Sequence, residues 1–225
     1  MLRPALVGWS VLAVACFWGC TDPETEMAKG VEVKPSGHAR VVNLTSKPVA
    51  ANLNGLTLGQ ALEAKGNSAF VATPLGRDST IDFVWGDSAP VDVAFRPDSG
   101  GTVTVYVIDD GGKPKHVAYV GDPRTTEKGK AAIRFVNLTA DGRAVAKAGD
   151  LELVRDTTVA VDPGRYTITA EVMGRTVTAP AQAMDDGEAY SVVVFANESG
   201  EPDIALLRNN LPMILLGPSG ASPSG

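Results

Sequence analysis

Two cysteines carry the strongest chemical signal in the sequence. Cys16 and Cys20 lie at the end of an apolar run, residues 5–18, which follows a short positively charged start. A positive end, a short apolar centre and small residues at the exit are typical of a secretory signal peptide. The run is too short for a stable membrane span, which needs ~20 apolar residues. We therefore predict that residues 1–20 are an export signal.

The end of this segment resembles the lipobox of bacterial lipoproteins, in which a cysteine is acylated and becomes the mature N-terminus. A small glycine precedes Cys20, as in that family, whereas the aromatic pair Phe17-Trp18 departs from its pattern. The resemblance implies that Cys20 is the lipid attachment site. Acylation of Cys16 is one alternative. A free secreted protein cleaved after Ala13-Val14-Ala15, or an uncleaved segment, is the other.

Acylation would decide where the protein resides. Each buried methylene adds ~0.8 kcal/mol of membrane affinity, so several acyl chains on Cys20 would hold the chain on a membrane without a transmembrane helix. Residues 21–37 have the Pro, Glu, Lys and Gly content of a flexible tether. These features predict a lipoprotein of the bacterial cell envelope, in the outer rather than the inner membrane and facing the periplasm or the surface. The expected partners are the membrane and either a cell-surface glycan or an envelope protein.

The remaining polar side chains form no recognisable catalytic or metal-binding motif. The two histidines, His38 and His116, are too few for a zinc site, which needs three or four ligands, and neither stands near a G-x-S-x-G turn. Asp109-Asp110 and Asp185-Asp186 each precede a glycine, where a weak calcium site or an ordinary turn could form. We predict ordinary turns, no enzyme activity, no metal and no cofactor.

Two aromatic residues are the best candidates for a ligand platform. Trp85 is the only tryptophan beyond residue 20, and Phe83 lies two positions earlier on the same strand face. Exposed aromatic side chains commonly stack on sugars, so this pair could make the chain a surface carbohydrate-binding or adhesion module. Core filling is the alternative for both residues, and the sequence favours it.

Composition indicates the fold and excludes one class of partner. The net charge is -6 and no basic run occurs, whereas nucleic-acid affinity depends on clustered Lys and Arg. The chain has 24 glycines, and runs rich in Val and Thr are broken by Gly, Pro, Asp or Asn about every 8–12 residues. This pattern predicts an all-β sandwich or barrel fold.

An internal repeat divides the chain. Arg40-Val41-Val42-Asn43-Leu44-Thr45 recurs as Arg134-Phe135-Val136-Asn137-Leu138-Thr139. We predict two tandem Ig-like antiparallel β-sandwich domains, residues 38–122 and 131–211, followed by a disordered tail at 212–225. Each repeat marks the start of a domain, and its asparagine should be buried and should bond the following turn. A domain of about 85 residues buries only about 60–65% of its unfolded surface, so contact between the halves would stabilise both.

The sequence also predicts individual elements. Residues 58–65 suggest either helical turns or a loop that packs two leucines. Residues 102–108 correspond to 190–196 in the second half. Strands are expected at 39–44, 48–53, 68–73, 79–85, 90–96, 101–108, 115–120, 131–137, 143–147, 151–154, 157–161, 165–172, 175–179, 188–196 and 203–208.

Residues 38–211 contain a series of turn and strand motifs. They are Arg-x-Val, Asn54-Gly55, Ser68-Ala69-Phe70, Pro74-Leu75-Gly76, Asp162-Pro163-Gly164-Arg165-Tyr166-Thr167-Ile168, Asp186-Gly187-Glu188-Ala189-Tyr190-Ser191-Val192-Val193-Val194 and Ile204-Ala205-Leu206-Leu207. With these motifs the stretch resembles a bacterial extracellular β-sandwich repeat, the domain of unknown function 4397, which usually occurs in tandem on surface proteins. The family differs in having His-Ala-Ser-Pro where Asn-Leu-Thr follows the opening strand here. The resemblance implies a sandwich at the cell surface and no established activity.

Overall fold

A computed structural model describes residues 36–97, 101–121 and 127–209. The predicted signal peptide, both cysteines, the tether as far as residue 35 and the tail at 212–225 lie outside these ranges. In the described part of the chain no helix is present, so none could span a membrane. The sixteen strands are β1 (Ser36–Asn43), β2 (Val49–Leu53), β3 (Leu56–Leu62), β4 (Val71–Pro74), β5 (Ser79–Trp85), β6 (Val91–Phe95), β7 (Thr102–Asp109), β8 (Pro114–Val120), β9 (Ala131–Asn137), β10 (Val145–Ala148), β11 (Leu151–Leu153), β12 (Thr158–Val161), β13 (Gly164–Val172), β14 (Arg175–Met184), β15 (Ala189–Ala196) and β16 (Pro202–Arg208).

The strands form four four-stranded sheets. Sheet I has the order β3-β2-β5-β6, sheet II β4-β1-β7-β8, sheet III β12-β9-β15-β16 and sheet IV β11-β10-β13-β14. One apolar cluster lies between sheets I and II, and a second lies between sheets III and IV. The predicted all-β sandwich architecture is confirmed, and both halves belong to one compact unit of the chain.

The two central strands of sheet II, and those of sheet III, run parallel to each other. β1 pairs with β7 and β9 pairs with β15 in parallel register, whereas the other paired strands are antiparallel. The sequence predicts antiparallel sandwiches, and these two pairs are the exception. All eight residues of β7 are buried. Because both faces of these central strands are covered, they consist of nearly continuous apolar and small residues rather than a clean alternation.

The structure corrects two predictions of secondary structure, one at the start of β1 and one around Leu58. β1 includes Ser36 and Gly37, which the sequence assigns to the tether. Residues 56–62 form strand β3, so neither the helical turns nor the loop predicted near Leu58 is present. Leu58 and Leu62 both pack against the core of the first half. Residues four apart share a face in a strand as well as in a helix, so their spacing alone could not separate the two structures.

The two halves differ most in the chain after β3. Twelve positions separate Leu58 from Phe70, but only five separate the equivalent residues Leu153 and Thr158. The first half therefore has seven extra residues, within 59–69. Glu63 to Gly66 form a tight turn in which the Gly66 amide donates to the Glu63 carbonyl at 2.8 Å.

Another difference between the halves is one residue in a hairpin. Four residues connect β7 to β8, whereas five connect β15 to β16. The parallel registers align Val107 with Val194, because each pairs with the asparagine of its repeat. The sequence match of 102–108 with 190–196 is thus wrong by one position, and the extra residue lies in the longer hairpin.

The asparagine of each repeat holds the turn after its strand, as predicted. Asn43 is fully buried, and its Oδ1 accepts hydrogen bonds from the Thr45 amide (2.9 Å) and hydroxyl (2.7 Å). Its Nδ2 donates to the carbonyls of Lys47 (2.8 Å) and Leu62 (2.7 Å). Asn137 is 6% exposed and repeats this arrangement, donating to the Asp141 carbonyl at 2.6 Å. Because an unsatisfied buried polar group costs about 1–3 kcal/mol, four bonds make Asn43 a strong determinant of this turn.

A third apolar cluster joins sheet II to sheet III. It contains six positions from each half, and the strand registers make them equivalent in pairs. The interface therefore has the pseudo-two-fold character of an isologous dimer contact, although one chain supplies both sides. The pairs are Val42 with Val136, Leu44 with Leu138, Tyr106 with Val193, Ile108 with Phe195, Val117 with Ala205 and Tyr119 with Leu207.

The arginines of the two repeats extend the same symmetry. Arg40 is 1% exposed, lies 4.5 Å from the Phe70 ring centroid and donates to the Arg208 carbonyl (3.1 Å) and to the Asn209 side chain of the other half. Arg134 lies 4.6 Å from the Tyr119 ring centroid and donates to the Gly121 carbonyl across the same interface. The repeated motif therefore joins the two halves as well as opening each of them.

One tyrosine in this interface should report on its integrity. Tyr119 donates a hydrogen bond to Asp156 and accepts one from Arg134. Burial, reinforced by the bond to Asp156 and opposed by Arg134, raises the pKa of Tyr119 to about 12. A raised folded pKa stabilises the fold fully below the unfolded value of ~10, and this contribution is lost as the pH rises toward 12.

We expect wild type to lose about 1–2 kcal/mol of unfolding free energy relative to Tyr119→Phe between pH 9.5 and 12, after allowing for the partial exposure of the ring. Phenylalanine cannot ionise, so the difference between the two proteins isolates this group from other alkaline titrations. Urea unfolding followed by circular dichroism measures it. A constant difference over that range would contradict the assignment.

Candidate functional site

The predicted aromatic platform lies in the core. Phe83 is fully buried, and Trp85 is 5% exposed with its Nε1 donating to the Thr45 hydroxyl at 2.9 Å. The Lys47 ammonium nitrogen lies 4.2 Å from the Trp85 ring centroid. Neither ring has a face available to a sugar, so the assignment of these residues as ligand-binding was wrong. Both share a strand face with the buried Ile81, whereas Asp82 lies on the opposite face.

The paired aspartates take part in turns. Asp109 Oδ1 accepts a hydrogen bond from the Gly112 amide at 2.7 Å, which closes the β7–β8 turn. Asp110 lies 3.5 Å from the Lys115 ammonium, and Asp185 lies 3.7 Å from the Arg208 guanidinium. Within residues 36–97, 101–121 and 127–209, no three His, Asp or Glu side chains come together to hold a metal ion.

A cleft of about 320 Å3 with polar side chains lies between the halves, and we call it the junction cleft. The turn after β1, with Ala64 and Lys65 from the stretch that holds the seven extra residues, forms one side. The longer β15–β16 hairpin forms the other. It is lined by Leu44, Thr45, Ser46, Ala64, Lys65, Phe195, Asn197, Glu198, Ser199 and Asp203.

Two polar contacts connect the sides of the junction cleft. Lys65 has a positive φ of 59°, and its ammonium nitrogen lies 2.9 Å from Asp203 Oδ2 and 3.0 Å from Oδ1. The Ser46 hydroxyl donates to Glu198 Oε2 at 2.5 Å. Because both ion-pair partners are partly exposed, the Lys65–Asp203 pair contributes only about 0–1 kcal/mol. These contacts therefore fix the shape of the cleft more than they stabilise the fold.

The hairpin presents polar groups that the fold does not use. Asn197 Oδ1 accepts hydrogen bonds from the amides of Ser199 and Glu201, each at 3.0 Å. In the described part of the chain its Nδ2 donates no hydrogen bond, in contrast to the Nδ2 atoms of Asn43 and Asn137. The cleft thus combines an available amide donor with the acceptor oxygens of Glu198. Sequence reasoning missed it, although Asn197-Glu198-Ser199 repeats the Asn-x-Thr/Ser pattern of both turns.

Comparisons with known proteins add little. No protein-family model matches the sequence, and no curated protein matches it. A family CBM26 carbohydrate-binding module from Eubacterium rectale, solved with maltoheptaose, is 10% identical with a TM-score of 0.27, over 78% of this chain and 97% of that chain. A protein from Bacteroides ovatus described as a candidate cell adhesion protein is 9% identical with a TM-score of 0.24, over 79% and 96%. With TM-scores this low, neither likeness bears on what this chain binds.

Proposed function

We propose that the protein is a non-catalytic, lipid-anchored binding module of the bacterial cell envelope. The observation that carries the proposal is the arrangement along the chain. A lipobox-like Cys20 is followed by a polar stretch and then by β1, whose far end forms one side of the junction cleft. A strand of eight residues spans about 26 Å, so the cleft lies well away from the end where the tether enters.

The chemistry of the cleft supports binding rather than catalysis. Nucleophilic catalysis needs a nucleophile, a base and a third group that orients the base. In the cleft the ammonium of Lys65 is paired with Asp203. The Ser46 hydroxyl donates a hydrogen bond to the exposed Glu198, but among the described residues no third side chain bonds and orients that carboxylate. The likeness to the domain of unknown function 4397 remains a prediction, and it agrees with a tandem sandwich at the cell surface.

Metabolic labelling with an alkyne-bearing fatty acid tests the anchor. We expect labelled protein in the membrane fraction for wild type and Cys16→Ala, and loss of the label with release from the membrane for Cys20→Ala. Loss of label only in Cys16→Ala would move the attachment to that residue. Label retained when both cysteines are replaced would end the proposal of a cysteine-linked anchor.

A further inference from the structure

The junction cleft has features that select the chemistry of its ligand. Its ionisable side chains are one ammonium, Lys65, and two carboxylates, Glu198 and Asp203, of which one carboxylate is paired with the ammonium. The remaining negative charge would repel phosphate, sulfate and other anions, because like charges near a protein surface interact unfavourably. A neutral ligand meets no such penalty.

The available hydrogen-bonding groups are of both kinds and lie side by side. Asn197 Nδ2 offers two donors, Glu198 offers acceptor oxygens, and the Ser199 hydroxyl can serve as either. A ligand that satisfies them must carry groups that both donate and accept at short spacing. Two neighbouring hydroxyl groups on a ligand both donate and accept hydrogen bonds, and one amide or carboxylate side chain can bond both hydroxyls at once.

The floor of the cleft provides the apolar component. Leu44 and Phe195 line it and belong to the cluster that joins the two halves, but they are only 3% and 1% exposed, so they close the floor and offer a ligand almost no surface. A volume of about 320 Å3 is near the lower end of the range for small-molecule sites, which suits a short ligand.

We propose that the junction cleft binds a short, uncharged oligosaccharide, with Asn197 and Glu198 bonding its hydroxyls. This inference rests on the proposed binding function and names its ligand class. Ala64 and Lys65, from the stretch that holds the seven extra residues of the first half, line the cleft together with the longer hairpin of the second half. Two places where the halves differ therefore meet at this site.

Asn197→Asp is the most informative variant. It keeps the Oδ1 atom that accepts from the Ser199 and Glu201 amides, so the hairpin should persist, and it replaces the two unused donors with a negatively charged acceptor oxygen. Gln60→Glu makes the same amide-to-acid change at an exposed position outside the cleft and serves as its control. Glu198→Gln with Glu152→Gln, an exposed carboxylate on β11, forms a second matched pair.

The full chain, purified in a detergent without a sugar headgroup, is applied to an array of neutral and sulfated oligosaccharides, and affinities are measured by calorimetry. We expect neutral binding, weakened about tenfold or more by Asn197→Asp and by Glu198→Gln and unchanged by both controls. Unfolding midpoints for all four variants check that the fold is intact. No neutral binding, preference for sulfated glycans, or unchanged affinity in both cleft variants would each overturn the proposal. Labelling at the cysteines is independent of these results.

Discussion

Val193→Asp should lower the free energy of unfolding by about 4 kcal/mol or more, a large part of the ~5–15 kcal/mol that holds a folded protein together. Val193 is fully buried in the cluster that joins sheets II and III, and Tyr106 is its equivalent in the first half. An aspartate there would either ionise without a partner in an apolar layer or remain protonated, and both states cost stability. Because one apolar layer serves both halves, the damage should extend to both sandwiches.

Chemical denaturation of the purified protein measures this effect, and tryptophan fluorescence from Trp85 reports on the first half. Val154→Asp is the matched control, because Val154 is 58% exposed and the same change there should stay within about 0.5 kcal/mol of wild type. Equal effects for the two variants would show that the interface between the halves is not a stable part of the fold.

Arg40→Met should cost about 3 kcal/mol, whereas Arg134→Met should cost about 1 kcal/mol. Methionine can preserve packing against Phe70, but it removes the donors that serve Thr104 Oγ1, the Arg208 carbonyl and Asn209 Oδ1 in a buried setting. Each acceptor left unsatisfied costs about 1–3 kcal/mol when buried, and less where water can replace the donor. Arg134 occupies the equivalent position but is half-buried, so water can compensate for part of its loss.

The quantity to measure, by chemical denaturation, is the difference between the unfolding free energies lost in Arg40→Met and in Arg134→Met. Arg165→Met, at an exposed arginine on β13, should change stability by less than about 0.5 kcal/mol. A cost for Arg134→Met equal to or above that of Arg40→Met would show that burial does not set the contribution of these two side chains.

The strands were predictable because alternation and turn residues are local signals. β5 and β9 run from 79 to 85 and from 131 to 137, as the sequence predicts. β3 was missed because Leu58 and Leu62, four residues apart, share a face both in a helix and in a strand. Trp85 shares a strand face with Ile81, and Asp82 indicates that the opposite face is turned toward solvent. This pattern was enough to assign Trp85 to the core.

The interface and the cleft were less accessible to sequence reasoning. Apolar residues on both faces of β1 and β7 indicate double burial, and this signal was available. The pattern does not say which part of the chain covers the face of β1 and β7 that is turned away from the core of the first half. The cleft depends on how β7 and β15 pack in the cluster that joins the two halves, and that packing involves residues far apart in the sequence. Lys65 and Glu198 become neighbours only after the two sheets meet.

The parallel pairing of β1 has a mechanical consequence. If the chain is anchored at its N-terminus and loaded at the junction cleft, tension enters at Ser36 and acts along β1. The six register pairs with β7 and the four with β4 would then resist in shear, sharing the load together instead of opening one after another. The strand that opens the fold would thus also be the one that bears force.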